Sequence, residues 1–145
     1  MNIKGILFGG EGGGSAAADF GLLLLRVGAG GALAYFHGVG KFPVTEKAIT
    51  GASDLGFPVP ALFAWAAALS ELVGGALVAI GFLTRPAAFF ALCTMATAFF
   101  LAHAADPFER KEKAFLFGLA FLCLLFTGAG RYSIDALYRR PSRHG

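Results

Sequence analysis

The chain has 145 residues, of which 57% are hydrophobic and only 14% are charged, and its formal net charge is +3. Soluble domains carry about 25% charged residues, so the composition excludes an ordinary soluble domain. The size suits a single domain. In lipid only helices and closed barrels satisfy every backbone polar group. The chain has no basic stripe, zinc-ligand spacing or recognition-helix pattern, and therefore nothing predicts that it binds nucleic acid.

Four apolar segments follow a Gly/Ala-rich N-terminal stretch, residues 1–18, which we predict to be a flexible tail without a signal peptide. The segments cover about residues 20–40, 60–83, 86–105 and 113–130. Each is close to the roughly 20 residues needed to span about 30 Å of hydrocarbon, and none alternates as barrel strands do. The prediction is an all-α, integral-membrane four-helix bundle over residues 19–138, followed by a basic tail, residues 139–145.

The connections between the segments differ in character. The longest, residues 42–59, contains an expected short amphipathic piece near Thr45 to Thr50, and residues 106–113 (DPFERKEK) are densely charged. An even number of spans places both termini on one side of the membrane. Lys and Arg residues are slightly more numerous on that side, so we expect both termini to be cytoplasmic.

Arg26 and His37 are the first ionisable residues that require an explanation, because both interrupt an apolar segment. They are 11 residues apart, and at about 100° per residue their directions differ by roughly 20°. One face of the first helix is therefore predicted to carry both.

Glu71 lies in the middle of the second segment. A carboxylate at this depth costs at least a few kcal/mol unless it is paired or lines a polar cavity. Counting from the helix ends puts Arg26 about 10 Å deep and Glu71 about 18 Å deep, an offset that two long side chains can close. We predict that they form a buried pair, which either fixes helix register or lines a cavity for a ligand or protons.

His37, Lys41 and His103 are predicted to lie at the opposite mouth of the bundle, near Asp106. Histidine can bind a metal or donate a hydrogen bond, but two histidines with scattered carboxylates do not specify a metal site. The remaining alternatives are contact with a quinone carbonyl or a lipid headgroup, and a merely interfacial pair. We predict no metal and take the three residues as candidates for quinone binding.

Cys93 and Cys123 lie at a similar predicted depth on neighbouring helices. They lack C-x-x-C spacing, and apolar burial quiets a thiol, so packing is favoured over a redox pair. Whether the two are in contact stays open.

Several stretches together resemble the DoxX family of small four-helix membrane proteins, over about residues 20–137. They are RVGAGGALAYFHGVGKF, ELVGGALVAIGFLTRPAA and HAADPFERKEKAFLF, followed by GAGRYSIDAL. The last resembles the family's G-x-G-x-x-S-x-D-x-L close, with Gly128, Gly130, Ser133 and Asp135 at its positions.

The resemblance implies an integral inner-membrane protein related to the DoxX/DoxD subunits of thiosulfate:quinone oxidoreductase, with links to thiol redox and oxidative stress. It also marks Arg26, His37, Lys41, Glu71 and His103 as polar positions. The sequence has no Gly-rich dinucleotide fingerprint, so no flavin or nicotinamide site is expected. Electrons would need a bound quinone or a partner subunit.

The sequence leaves three functions open. The leading hypothesis is a quinone-interacting membrane subunit of an oxidoreductase or thiol-stress system. The second is a non-catalytic membrane anchor that recruits soluble redox enzymes through the charged loop and basic tail. The third is a small-molecule transporter, which four spans would form only by homo-oligomerisation. Expected partners are membrane lipids, soluble redox proteins and further copies of the chain.

Overall fold

The computed structural model describes residues 15–139, and this part of the chain is helical without a strand. The expected N-terminal and C-terminal tails lie mostly outside it. In chain order the helices are α1 (Ala16–Lys41), α2 (Glu46–Asp54), α3 (Pro60–Ile80), α4 (Thr84–Ala102), α5 (Phe108–Thr127) and α6 (Ile134–Arg139).

Capping residues set the ends of the helices, and the apolar pattern of the sequence does not identify them. Ser15 accepts a hydrogen bond from the N–H of Ala18 (3.2 Å), so α1 begins four residues before the predicted segment. Residues 16–18 are therefore helical and do not belong to a flexible tail.

Gly81 ends α3 with φ of 72°, a conformation that suits glycine, three residues before the α4 helix begins. Thr45 caps α2, which confirms a short helix in the first connection.

Three helices, α1, α3 and α4, are long and apolar enough to cross a membrane. The fourth predicted span is different, because α5 begins with the charged residues 109–113. Its apolar part covers about 14 residues, or roughly 21 Å, which is shorter than the hydrocarbon thickness. Large apolar side chains remain exposed on the outer faces, including Phe36, Phe100 and Phe126, each about 70% exposed, as expected where a bundle faces lipid.

The backbones of α1 and α3 pack closely against each other. A Cβ atom built on Gly30 would lie 2.6 Å from the carbonyl oxygen of Gly75, and one on Gly38 would lie 2.5 Å from the Cα of Leu72. Small residues allow membrane helices to approach in this way. The glycines therefore set both the distance and the register of the two helices.

The interior is filled where α3, α4 and α5 meet α1. Its fully buried members are apolar and mostly small or aliphatic: Leu33, Val78, Ala88, Ala91, Phe121 and Leu124. The buried core is thin because most apolar surface of the three spanning helices points outward.

Candidate functional site

The central polar contact of the membrane-embedded region is an ion pair between α1 and α3. The Nζ atom of Lys41 lies 2.7 Å from Oε1 of Glu71. The Glu71 side chain is only 3% exposed, whereas that of Lys41 is 45% exposed. Lys41 is the last residue of α1, so its apolar stem extends inward along the helix end while its ammonium group reaches the buried carboxylate.

This pair differs from the one predicted between Arg26 and Glu71. Gly38 lies against Leu72 and Gly30 lies against Ala79, so the antiparallel register places Glu71 beside the C-terminal end of α1. Arg26 instead hydrogen-bonds to the carbonyl of Ala79, which is about 12 Å along α3 from Glu71. Counting depths from apolar-segment ends cannot detect this register, because glycine contacts determine it.

The second carboxylate oxygen of Glu71 has no hydrogen-bond partner within the described residues, although it is buried. An ionised carboxylate only accepts hydrogen bonds and has room for several donors. A buried polar atom without a partner costs about 1–3 kcal/mol, and more for a charged group. Among the described residues, therefore, only one of the two oxygens of Glu71 has a hydrogen-bond partner.

Three of the singled-out residues lie in π-helical turns, a distortion that is rare and frequent at functional sites. Arg26 begins the π turn Arg26–Gly30, His37 lies in Leu33–Gly38, and Glu71 lies in Ser70–Gly74. The widened turns in α1 also change its face relationships. Arg26 hydrogen-bonds to α3, whereas His37 packs edge-on against Phe117 of α5 (5.6 Å between ring centroids), so the two side chains contact different helices.

The two histidines occupy separate environments. His37 is half-buried beside Phe117, one helical turn before Lys41. Nδ1 of His103 hydrogen-bonds to Asp106 at 2.8 Å, just beyond the end of α4. This bond lowers the pKa of the Asp106 carboxyl, with a further contribution from Arg110. The His103 side chain is thus hydrogen-bonded within the α4–α5 loop.

Arg26 is fully buried at the other end of the bundle. Its guanidinium donates to the carbonyl of Ala79 at 3.3 Å and to that of Tyr132 at 2.5 Å, and it fills the space beside Gly81. It therefore ties the C-terminal segment to the end of α3, which is a structural role.

The C-terminal motif belongs to the same end. Oδ1 and Oδ2 of Asp135 accept hydrogen bonds from the N–H groups of Leu83 (2.8 Å) and Thr84 (3.0 Å), which begin α4. Gly128 and Gly130 have φ of 75° and 74°, and Ser133 donates to the Gly130 carbonyl. These residues fold the chain under the bundle and contact no part of the Lys41–Glu71 pair.

Asp19 is the residue of this end that the sequence did not indicate. It is 5% exposed and accepts a hydrogen bond from the N–H of Arg131 at 2.9 Å. Because Asp19 lies next to the predicted flexible tail, the sequence pattern did not indicate that it is buried. Only the return of the C-terminal segment brings its partner close.

The remaining candidates give no site. The described residues contain no group of three metal-ligand side chains. Cys93 and Cys123 are both free and exposed on outer faces. Among the described residues, apolar grooves of about 490 Å³ between α3 and α4, about 270 Å³ between α1 and α5, and about 200 Å³ between α4 and α5 run along the bundle.

The helices and their apolar outer faces define an all-helical membrane protein. The DoxX family model matches residues 21–104, and the chain belongs to the DoxX family. It is 30% identical to the Bacillus subtilis protein named "Putative oxidoreductase CatD" over 128 residues, 88% of this chain and 93% of that protein. It is also 35% identical over 107 residues to an uncharacterized Haemophilus influenzae protein, covering 68% of this chain and 77% of the other. No solved structure matches the chain significantly.

Proposed function

We propose that the chain is a quinone-interacting membrane subunit of an oxidoreductase system, and that the quinone head binds at the Lys41–Glu71 pair. The observation that carries the proposal is the buried Glu71 oxygen without a partner, beside an ammonium group. The name given to the Bacillus subtilis relative supports the oxidoreductase class.

The residues present fit a quinone head. Lys41 offers N–H donors that can bind a ring oxygen, and Glu71 offers an acceptor in a place sheltered from water. His37 lies one helical turn before Lys41 and presents a further donor or acceptor. When bound, a quinone supplies two-electron, two-proton chemistry that the side chains themselves lack.

Glu71 is the acceptor of the proposed site. Because Lys41 holds one oxygen of the carboxylate, the other oxygen is fixed in direction and available to a donor group of the ligand. The Lys41 ammonium is half exposed at the end of α1, so the pair links the buried position to the membrane surface. Because His103 is hydrogen-bonded to Asp106 in the α4–α5 loop, we do not include it among the residues that contact the quinone head.

We place the protein in the bacterial inner membrane with both termini cytoplasmic. In the sequence, six Lys and Arg residues fall in the terminal segments and the α3–α4 connection, against five in the connections at the other end, which is a small excess. The positive-inside rule favours this orientation. The quinone head would then bind near the outer face of the membrane.

The test is analysis of quinone in lipid extracts of the purified full-length protein. Wild-type protein should retain quinone in stoichiometric amount, and Lys41→Ala should retain less than about one fifth of it. Lys47→Ala, which changes an exposed lysine on α2 at the same end, is the matched control and should retain the wild-type amount. Equal quinone content in both variants, or none in the wild type, contradicts the proposal.

The anchor function is the second candidate, and the exposed charged turn at the start of α5 favours it. Glu109, Arg110 and Glu112 are exposed there, and Arg110 also pairs with Asp106 at 3.6 Å. If the chain only recruits enzymes, reversing these charges will abolish co-purification of a partner, whereas Lys41→Ala will leave both the partner and the phenotype intact.

A further inference from the structure

The hydrogen-bond character of Glu71 distinguishes the two forms of a quinone. We infer that the site takes the reduced form, hydroquinone, in preference to the oxidised form, with one ring hydroxyl donating to Oε2 of Glu71. The inference rests on the proposed function, because it assumes that the head binds at the Lys41–Glu71 pair.

The surroundings of Oε2 limit which ligand groups can face it. It is buried and has no donor among the described residues, while Oε1 is held by Lys41 at 2.7 Å. The carboxylate of an ion pair only accepts. A ligand group that faces Oε2 must therefore bring its own hydrogen.

The two redox forms of the ring differ in this respect. A hydroquinone has two hydroxyl groups, and a hydroxyl donating to a carboxylate forms a charge-assisted hydrogen bond, the stronger kind. The oxidised ring has only carbonyl oxygens, which would place an acceptor against an acceptor without a hydrogen between them. Lys41 does not discriminate, because its ammonium can donate to either form.

The Lys41 side chain is 45% exposed at the end of α1, whereas that of Glu71 is 3% exposed, so the ion pair joins an accessible group to a buried one. A hydrogen bond to a buried carboxylate is electrostatically stronger than the same bond in water.

The structure also contains a probe. Trp65 is the single tryptophan of the chain, and its ring packs edge-on against Phe42 at 5.6 Å, next to Lys41. It is six residues from Glu71, about 9 Å along α3. Fluorescence of Trp65 therefore reports on ligands at this site.

The experiment measures affinity of the full-length protein in nanodiscs, without oxygen, for a short-tail quinone in its oxidised and chemically reduced forms. Equilibrium dialysis gives the affinity, and Trp65 fluorescence gives a second readout. The reduced form should bind at least about tenfold more tightly to the wild type. In Glu71→Gln, whose amide both donates and accepts, the ratio should fall to within about threefold.

Two further variants keep the result interpretable. Glu46→Gln, an exposed acid on α2, should keep the wild-type ratio. Glu71→Asp keeps both Lys41 and a carboxylate that only accepts hydrogen bonds, so it should keep a preference for the reduced form.

The outcomes separate the two claims. Equal affinity of the wild type for both forms, or a ratio that survives the loss of Glu71, overturns the inference. If the oxidised form binds as tightly as the reduced form, and its binding still requires Lys41, the proposed function stands while the inference fails. If neither form binds saturably, both fail.

Discussion

Gly38 of α1 packs directly on the backbone of Leu72 of α3, so closely that a Cβ at Gly38 would lie 2.5 Å from the Leu72 Cα. This contact is adjacent to Glu71 and three residues before Lys41. It brings the end of α1 close enough for the lysine to reach a carboxylate in the middle of α3. The glycine thus determines which cation neutralises Glu71.

Gly38→Ala should consequently disturb the ion pair. The new methyl group meets backbone atoms that cannot rotate away, and overpacking of this kind costs about 1–3 kcal/mol. Thermal unfolding in detergent, followed by Trp65 fluorescence, should show a lower midpoint and lost quinone retention. Gly31→Ala is the control, because nothing lies within 4 Å of its Cβ, and alanine should leave it neutral or more stable. Equal effects of the two substitutions would refute the role of the Gly38 contact.

Arg26→Lys should destabilise the fold without affecting quinone. Lysine lacks the planar fork that reaches two carbonyls from one buried position, those of Ala79 and Tyr132. We expect a loss of about 1–3 kcal/mol and faster proteolysis of the C-terminal segment, measured by limited digestion. Quinone content per folded protein should stay at the wild-type level, since Glu71 is a separate site. Selective loss of quinone would instead support a direct link between Arg26 and Glu71.

Asp135→Ala should weaken the start of α4. Both carboxylate oxygens accept backbone hydrogen bonds there, and loss of such a cap costs about 1–2 kcal/mol. The measurement is the unfolding midpoint, with Asp54→Ala on the exposed face of α2 as the control. Equal stability of the two variants would show that the C-terminal motif does not secure α4.

Acidification should loosen the α4–α5 loop. The bond from His103 lowers the pKa of Asp106 in the folded state, so its stabilising effect is present above the ordinary carboxyl pKa of about 4. It is lost as the pH falls through the lowered value, because the proton then binds the unfolded state first. Hydrogen exchange of the loop should therefore differ between wild type and Asp106→Asn at pH 6 and converge in strong acid. A constant difference across this range would contradict the assignment.

The amino-acid sequence by itself determines the class of this protein. Apolar runs of about 20 residues must form helices in lipid because their backbone groups have no other partners, and this pattern is local enough to read directly. The same cost of buried charge identifies Glu71 and Arg26 as residues that need partners. Family resemblance, carried by motifs in order along the chain, was equally accessible and is confirmed.

Only the tertiary structure decided which partner each residue takes. Gly30 and Gly38 set the register of α1 against α3 through backbone contacts. The hydrophobic periodicity of the sequence does not show which residues of α3 these glycines contact. The π turns rotate Arg26 and His37 to different neighbours, which a constant 100° per residue cannot reproduce. Asp19 meets Arg131 across more than a hundred residues. Close packing fixes the register of the two helices. This register therefore pairs Glu71 with Lys41 and places Arg26 against the C-terminal segment.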